Sequence, residues 1–222
     1  MYTIAMSNKT ALYLATGVLT FVVLGLALLA WLQGIRGELT PYILFPLLGI
    51  AAWVLMWMHY VSGSLKRYLG LAGNDTLLRG YAKVTGYVVL CLILLHPGLL
   101  YIGLYNDGLG LPPYSAFAVY QTLGMRIALI LGSVALTAFL LFELGRWFRH
   151  KGWWRYIEWA NVAAMGLIFV HGLLIGGGIT GWFRVVWIVL GLALVAAVAY
   201  NWYYDRYIKN GAIHHGREQS RE

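Results

Sequence analysis

Apolar residues fall into six long runs along the chain, at 11–32, 42–63, 84–105, 122–144, 156–177 and 183–204, separated by short polar or glycine-rich breaks. A helix of about 20 apolar residues crosses the hydrocarbon core of a bilayer, and in that core the backbone must satisfy its own hydrogen bonds. The pattern therefore predicts an all-α membrane protein: a single domain over 1–222, built as a bundle of about six transmembrane helices and ending in a polar tail at 205–222. The first run is too long for the apolar region of a signal peptide and has no small-residue cleavage site after it before Gln33. It is expected to be a retained span. In the second run Trp53, Trp57 and Tyr60 gather toward one end, as an interfacial aromatic belt does.

Two breaks carry more pattern than the rest. SGSLKRYLGLAGNDTLLRGYAK places a Gly-Asn-Asp turn signal between two short apolar patches, which suggests a half-helix lying on the membrane surface. NDGLGLPPYSAFAVYQ is rich in glycine, proline and tyrosine and is expected to cap the ends of the third and fourth spans.

Composition agrees with this reading. The chain is 61% apolar and only 11% charged, with a mean hydropathy of +0.71, whereas a soluble domain carries roughly a quarter charged residues. A net charge of +8 would invite a nucleic-acid partner if the basic residues formed one patch. They sort instead by side of the membrane. If the N-terminus is cytoplasmic, Lys9, Lys66, Arg67, Arg79, Lys83, Arg146, Arg149, Lys151, Arg155, Arg206, Lys209, Arg217 and Arg221 face inward, and Arg36, Arg126 and Arg184 face outward. That asymmetry follows the positive-inside rule and places both termini in the cytoplasm, with membrane lipid rather than nucleic acid as the partner of the basic loops. The single Cys91 excludes an intramolecular disulfide.

Ionisable residues at bilayer depth are costly and mark candidate sites. His96 stands in the middle of YAKVTGYVVLCLILLHPGLLYIGLYN, and His171 stands alone in RYIEWANVAAMGLIFVHGLLIG. Counted from the inner interface, the two lie within several ångström in depth at about 1.5 Å per helical residue. Two such helices can hold a metal or haem iron between their imidazoles; the plainer reading of each histidine is an interhelical hydrogen bond. Pro97 follows His96 directly and withholds a hydrogen bond from the carbonyl of Ile93, predicting a kink. Gly86, Gly98 and Gly103 thin the same helix, for close packing or for a flat macrocycle. His59, near the end of the second span, reads as an interfacial or hydrogen-bonded residue, with ligation as the alternative. His150, between Arg149 and Lys151, reads as a surface residue, and His214 and His215 sit on the tail. Arg126 and Glu143 are shallow enough to snorkel; the other reading of Arg126, with Arg184, is pairing with an anionic group such as a haem propionate.

At LKRYLGLAG, GYVVLCLILLHPGLLY and WWRYIEWANVAAMGLIFVHGLL, about residues 64 to 176, the chain resembles the ferric reductase-like transmembrane family. That family includes the membrane domains of NADPH oxidases, six-transmembrane metalloreductases and the haem subunit of bacterial methionine sulfoxide reductase systems. The resemblance implies a multi-pass protein of a prokaryotic plasma membrane that binds b-type haem through His96 and His171. It also implies electron transfer from a flavin or quinol donor, or a separate donor protein, to an acceptor on the outer side. Two-haem members carry a further histidine thirteen or fourteen residues before each of these; here those positions are Lys83 or Ala82 and Glu158 or Ile157. One haem per chain is the expectation, with Lys83 and Glu158 approaching each other across the vacant inner position. The chain has no GxGxxG unit and no room for a flavin or nicotinamide domain, so the donor binds from outside the chain. Two other readings stand beside this one. An ascorbate-reducible cytochrome b type would use His59 and His150 for a second haem. A structural subunit or small transporter without cofactor would use its histidines in packing.

Overall fold

The computed structural model describes residues 2–35, 40–71, 76–143, 145, 150–176 and 179–208, with side chains from Asn8 onward. Six helices are long and apolar enough to cross a membrane: α1 (Tyr2–Gly34), α2 (Pro41–Tyr68), α3 (Thr76–Asn106), α5 (Leu123–Glu143), α6 (Trp154–Ile175) and α7 (Gly181–Tyr203). A short α4 (Tyr114–Val119) lies between α3 and α5, and a π-helical turn, Tyr204–Ile208, extends α7. No strand occurs among the described residues. The chain is an integral, multi-pass membrane protein.

Side-chain bonds between helices give their directions. Ile43 accepts from Trp31 of α1, and Gln33 near the end of α1 accepts from Trp182 at the start of α7. Tyr42 at the start of α2 donates to Asp107, just past the end of α3, while His59 further along meets Thr85. Ala128 of α5 pairs with His171 of α6. Consecutive long helices therefore run antiparallel. The most extensive contacts are α2 with α3 and α5 with α6, two hairpins of the same direction, with α1 and α7 packed on α2. Lys66, Arg67, Arg79, Lys83, Lys151, Arg155 and Arg206 gather at one end of the bundle, the basic end, as the charge pattern predicts; Arg126 and Arg184 lie toward the other.

The core is aromatic. Trp53 and Trp57 are buried, with indole N–H groups donating to the carbonyls of Met165 on α6 at 3.2 Å and Leu190 on α7 at 2.8 Å. Trp187 stacks on Phe169, bonds its carbonyl, and lies 4.2 Å from Trp53 between ring centroids. This corrects the expected belt at Trp53 and Trp57. In an apolar interior an indole N–H needs an acceptor, and neighbouring helix carbonyls provide one without water.

Two breaks also differ from expectation. Among the described residues no separate half-helix stands in the first of these segments: α2 continues to Tyr68 and α3 begins at Thr76, so most of it lengthens its flanking spans. Lys66, Arg67, Arg79 and Lys83 let these extensions emerge into a polar layer. The cap does form, and part of it is α4, whose Ser115 and Ala116 are buried and whose apolar side packs with Leu100 and Leu104 of α3. Pro97 is contained within α3, which stays one helix to Asn106.

Candidate functional site

His96 on α3 and His171 on α6 come together from the two hairpins. Their ring centroids are 6.3 Å apart and their planes stand at 81°. Each ring is held by its hairpin partner in the same manner. Nδ1 of His96 lies 2.6 Å from the carbonyl oxygen of Phe45 on α2, and Nδ1 of His171 lies 2.7 Å from that of Ala128 on α5. A carbonyl only accepts, so each Nδ1 carries the hydrogen and each Nε2 is left with its lone pair. Neither Nε2 makes a hydrogen bond among the described residues.

Four residues after each accepting carbonyl is a glycine, one turn along on the same helix face. A Cβ at Gly49 would stand 2.8 Å from Cε1 of His96, and one at Gly132 would stand 2.8 Å from Nδ1 of His171. Each imidazole therefore lies on a bare stretch of the neighbouring helix, close enough to reach a carbonyl that is already part of the helix. The segments FPLLG and ALILG form the two cradles, and LILLH and LIFVH carry the two rings. The site is a local repeat of one hairpin design.

The geometry suits a metal between the rings. An imidazole nitrogen binds a first-row metal at about 2.0–2.1 Å and lies about 1.1 Å from its own ring centre, so two imidazoles on opposite sides of one ion hold their centroids roughly 6.2–6.4 Å apart. The observed separation falls in that interval. Hydrogen bonds from Nδ1 to backbone carbonyls are the usual means by which a ligating histidine is fixed in tautomer and orientation. Both rings line one open-sided cavity of about 130 Å³, walled by Ile93, Ile168, Phe139 and Trp187 among others. Among the described residues no group of three or more histidine, cysteine or acidic side chains gathers to hold a metal, so any ion here would rest on these two imidazoles.

The other expected residues are dispersed. Arg126 and Arg184 are exposed and do not line the cavity; its hydroxyl-bearing walls are Tyr101, Tyr120 and Ser133. Burial holds the Tyr120 phenol above its ordinary range, which keeps it a proton donor at the α4–α5 end. His150 is exposed in the turn before α6 and does not line the cavity that His59 lines. His59 places Nε2 2.6 Å from the Thr85 hydroxyl, which itself donates to the Tyr81 carbonyl at 2.7 Å. Lys83 and Glu158 are both exposed and form no ion pair; the ion pair among the described residues is Arg67–Asp205, at 3.1 Å. Each snorkels separately because a polar layer is within its reach. Arg36, Arg146, Arg149, Lys209, Arg217, Arg221, His214 and His215 lie outside the described residues.

Sequence reasoning missed the cradles. Of the glycines it weighed on α3, Gly103 lies under the Tyr42 ring and Gly86 lines a different cavity. Those that shape the histidine site are on α2 and α5. The one signal in the sequence is the shared carbonyl-to-glycine spacing in FPLLG and ALILG, which means nothing until each helix is paired with its histidine. Compared with family models, curated proteins and solved structures, the chain has no match.

Proposed function

We propose that this protein is a transmembrane electron carrier of the ferric reductase-like type, binding one b-type haem between His96 and His171. The observation that carries the reading is the pair of imidazoles at 6.3 Å, each with Nδ1 engaged and Nε2 unengaged. A packing role needs one hydrogen bond per histidine and gives no reason for two unengaged Nε2 atoms on rings whose centroids are 6.3 Å apart.

A bound haem would supply a one-electron couple, low-spin because two imidazoles saturate the iron. The chain's own residues do the rest. Phe45 and Ala128 fix the tautomers, Gly49 and Gly132 set the depth of the rings, and Ile93, Ile168, Phe139 and Trp187 exclude water. The site lies nearer the end opposite the basic one, His96 being ten residues from Asn106 and His171 four from Ile175. With the basic end in the cytoplasm of a prokaryotic cell, electrons would leave toward the outer face. A separate protein or a membrane-soluble reductant would supply them.

The visible spectrum of protein purified from haem-supplied cells tests this. The expected result is a red protein with a low-spin b-type spectrum and about one haem per chain. A colourless protein would leave the cofactor-free reading.

A further inference from the structure

Toward the basic end a second cavity, of about 280 Å³, lies between the two hairpins. Four polar side chains converge on it, His59 and Tyr60 from α2, Glu143 from α5 and Asn161 from α6, and none of them lines the histidine cavity. Its other walls are apolar, and Phe139 and Phe142 make part of them aromatic.

What each polar group can offer follows from the hydrogen bonds it already makes. Thr85 gives its hydroxyl hydrogen to the Tyr81 carbonyl at 2.7 Å, so in the 2.6 Å contact between that hydroxyl and Nε2 of His59 the histidine is the donor. Nδ1 of His59 then keeps its lone pair. The Asn161 amide donates to the Tyr60 hydroxyl at 3.0 Å, which leaves the amide oxygen as an acceptor, and the phenol hydrogen and the second amide N–H as donors. The Glu143 carboxylate only accepts, and it has neither an ion pair nor a hydrogen bond among the described residues. Acceptors therefore outnumber donors. No lysine, arginine or aspartate lines the cavity among the described residues, so its one formal charge is negative.

A carboxylate against apolar walls in a membrane protein is costly without a cation. An anion, or a ligand with acceptors alone, would meet acceptors and the carboxylate. A bare alkali ion would leave most of the space unfilled, whereas a cavity at the low end for organic ligands, about 300 Å³, takes a single ring or a short apolar chain. We propose that this cavity binds a small organic ammonium ion, a primary amine on one ring or a short apolar body, with Glu143 as its counter-ion. A primary ammonium has three N–H donors and no acceptor, which matches Glu143, the Asn161 oxygen and Nδ1 of His59. Phe139, Phe142 and Tyr60 supply apolar contact for its body, and aromatic rings also attract a cation. The proposal stands on this cavity alone and does not depend on the electron-carrier reading.

The test uses the full-length protein in phosphatidylcholine nanodiscs. The probes are phenethylamine, an ammonium ion at neutral pH, and its uncharged isostere phenethyl alcohol. Calorimetric titration, corrected for empty nanodiscs, should show saturable binding of the amine, with the alcohol weaker by about tenfold or more, the scale of one charge-assisted hydrogen bond. Glu143→Gln keeps the shape of the side chain and removes its charge. It should weaken the amine by about tenfold or more and erase its advantage over the alcohol. Gly86 also lines the cavity, and a Cβ there meets nothing within 4 Å, so the ring of Gly86→Phe has room to enter the space and should weaken the amine to a similar degree. Absence of saturable amine binding, or binding unaltered by Gly86→Phe, overturns the site. Equal affinity for amine and alcohol, or an amine affinity unchanged in Glu143→Gln, overturns the ammonium assignment. The haem content of the protein bears on neither result, so failure here is separate from failure of the electron-carrier reading.

Discussion

A histidine in a membrane span has two nitrogens to satisfy, and which one is satisfied decides what the residue can do. At His96 and His171 the carbonyls of Phe45 and Ala128 take the Nδ1 hydrogens, and the remaining lone pairs are what a metal requires. At His59 the engaged nitrogen is Nε2. His96→Ala and His171→Ala should therefore each abolish stable haem binding, read as loss of the low-spin spectrum, while His59→Gln and His150→Ala should leave that spectrum unchanged. The cradles predict a finer effect. Gly49→Ala or Gly132→Ala forces a methyl within 2.8 Å of a ring atom, so the ring must leave its carbonyl or rotate about it. If a ferric haem binds between them, rings at 81° would leave the iron d-orbitals that they perturb nearly equal in energy, and a low-spin centre of that kind would have a strongly anisotropic paramagnetic resonance signal. Either alanine variant should alter that anisotropy or lose the haem; an unchanged resonance spectrum would mean that the glycines do not set the ring planes.

At the scale of elements, hydrophobic run length located every span, because crossing a bilayer demands length and apolarity whatever the neighbours are. The structure places the six long helices over the six runs and extends several into the polar breaks. What the runs do not encode is which face of a helix meets which other helix. Trp53 and Trp57 read as an interfacial belt because tryptophan favours that layer, yet both are core residues bonded to α6 and α7 carbonyls that adjoin them only once the bundle closes. The same limit hid Gly49 and Gly132, and it hid the opening of Glu143 and Asn161 into one cavity. His96 and His171 were legible because an isolated imidazole in an apolar run stands out without any tertiary information. Trp57→Phe tests the corrected role: it removes the indole hydrogen bond to the carbonyl of Leu190 together with buried aromatic area, so thermal unfolding in detergent should show a loss of about 1–3 kcal/mol. An interfacial tryptophan would give almost none.

At the scale of the whole molecule, two hairpins of like direction, α2–α3 and α5–α6, face each other across two stacked cavities, and the haem reading concerns only one of them. The cavity nearer the basic end contains one histidine, His59, with its Nε2 on Thr85, so it offers no ligand pair. A pyridine haemochromogen assay should return about one haem per chain; two would require a ligand set that the described residues do not provide. On the electron-carrier reading, the direction of electron flow depends on which end faces the cytoplasm, and the charge pattern makes a prediction. Lys66, Arg67, Arg79, Lys83, Lys151, Arg155 and Arg206 lie at the end nearer the second cavity, against Arg126 and Arg184 toward the histidine end. Basic residues flanking short loops resist translocation, so the basic end should stay in the cytoplasm. Six crossings bring the C-terminal tail back to that same side. A fluorescent protein that matures only in the cytoplasm should therefore glow when fused after Glu222, and alkaline phosphatase fused there should be inactive. The reverse result would invert the molecule and, on the electron-carrier reading, deliver electrons to the cytoplasmic face.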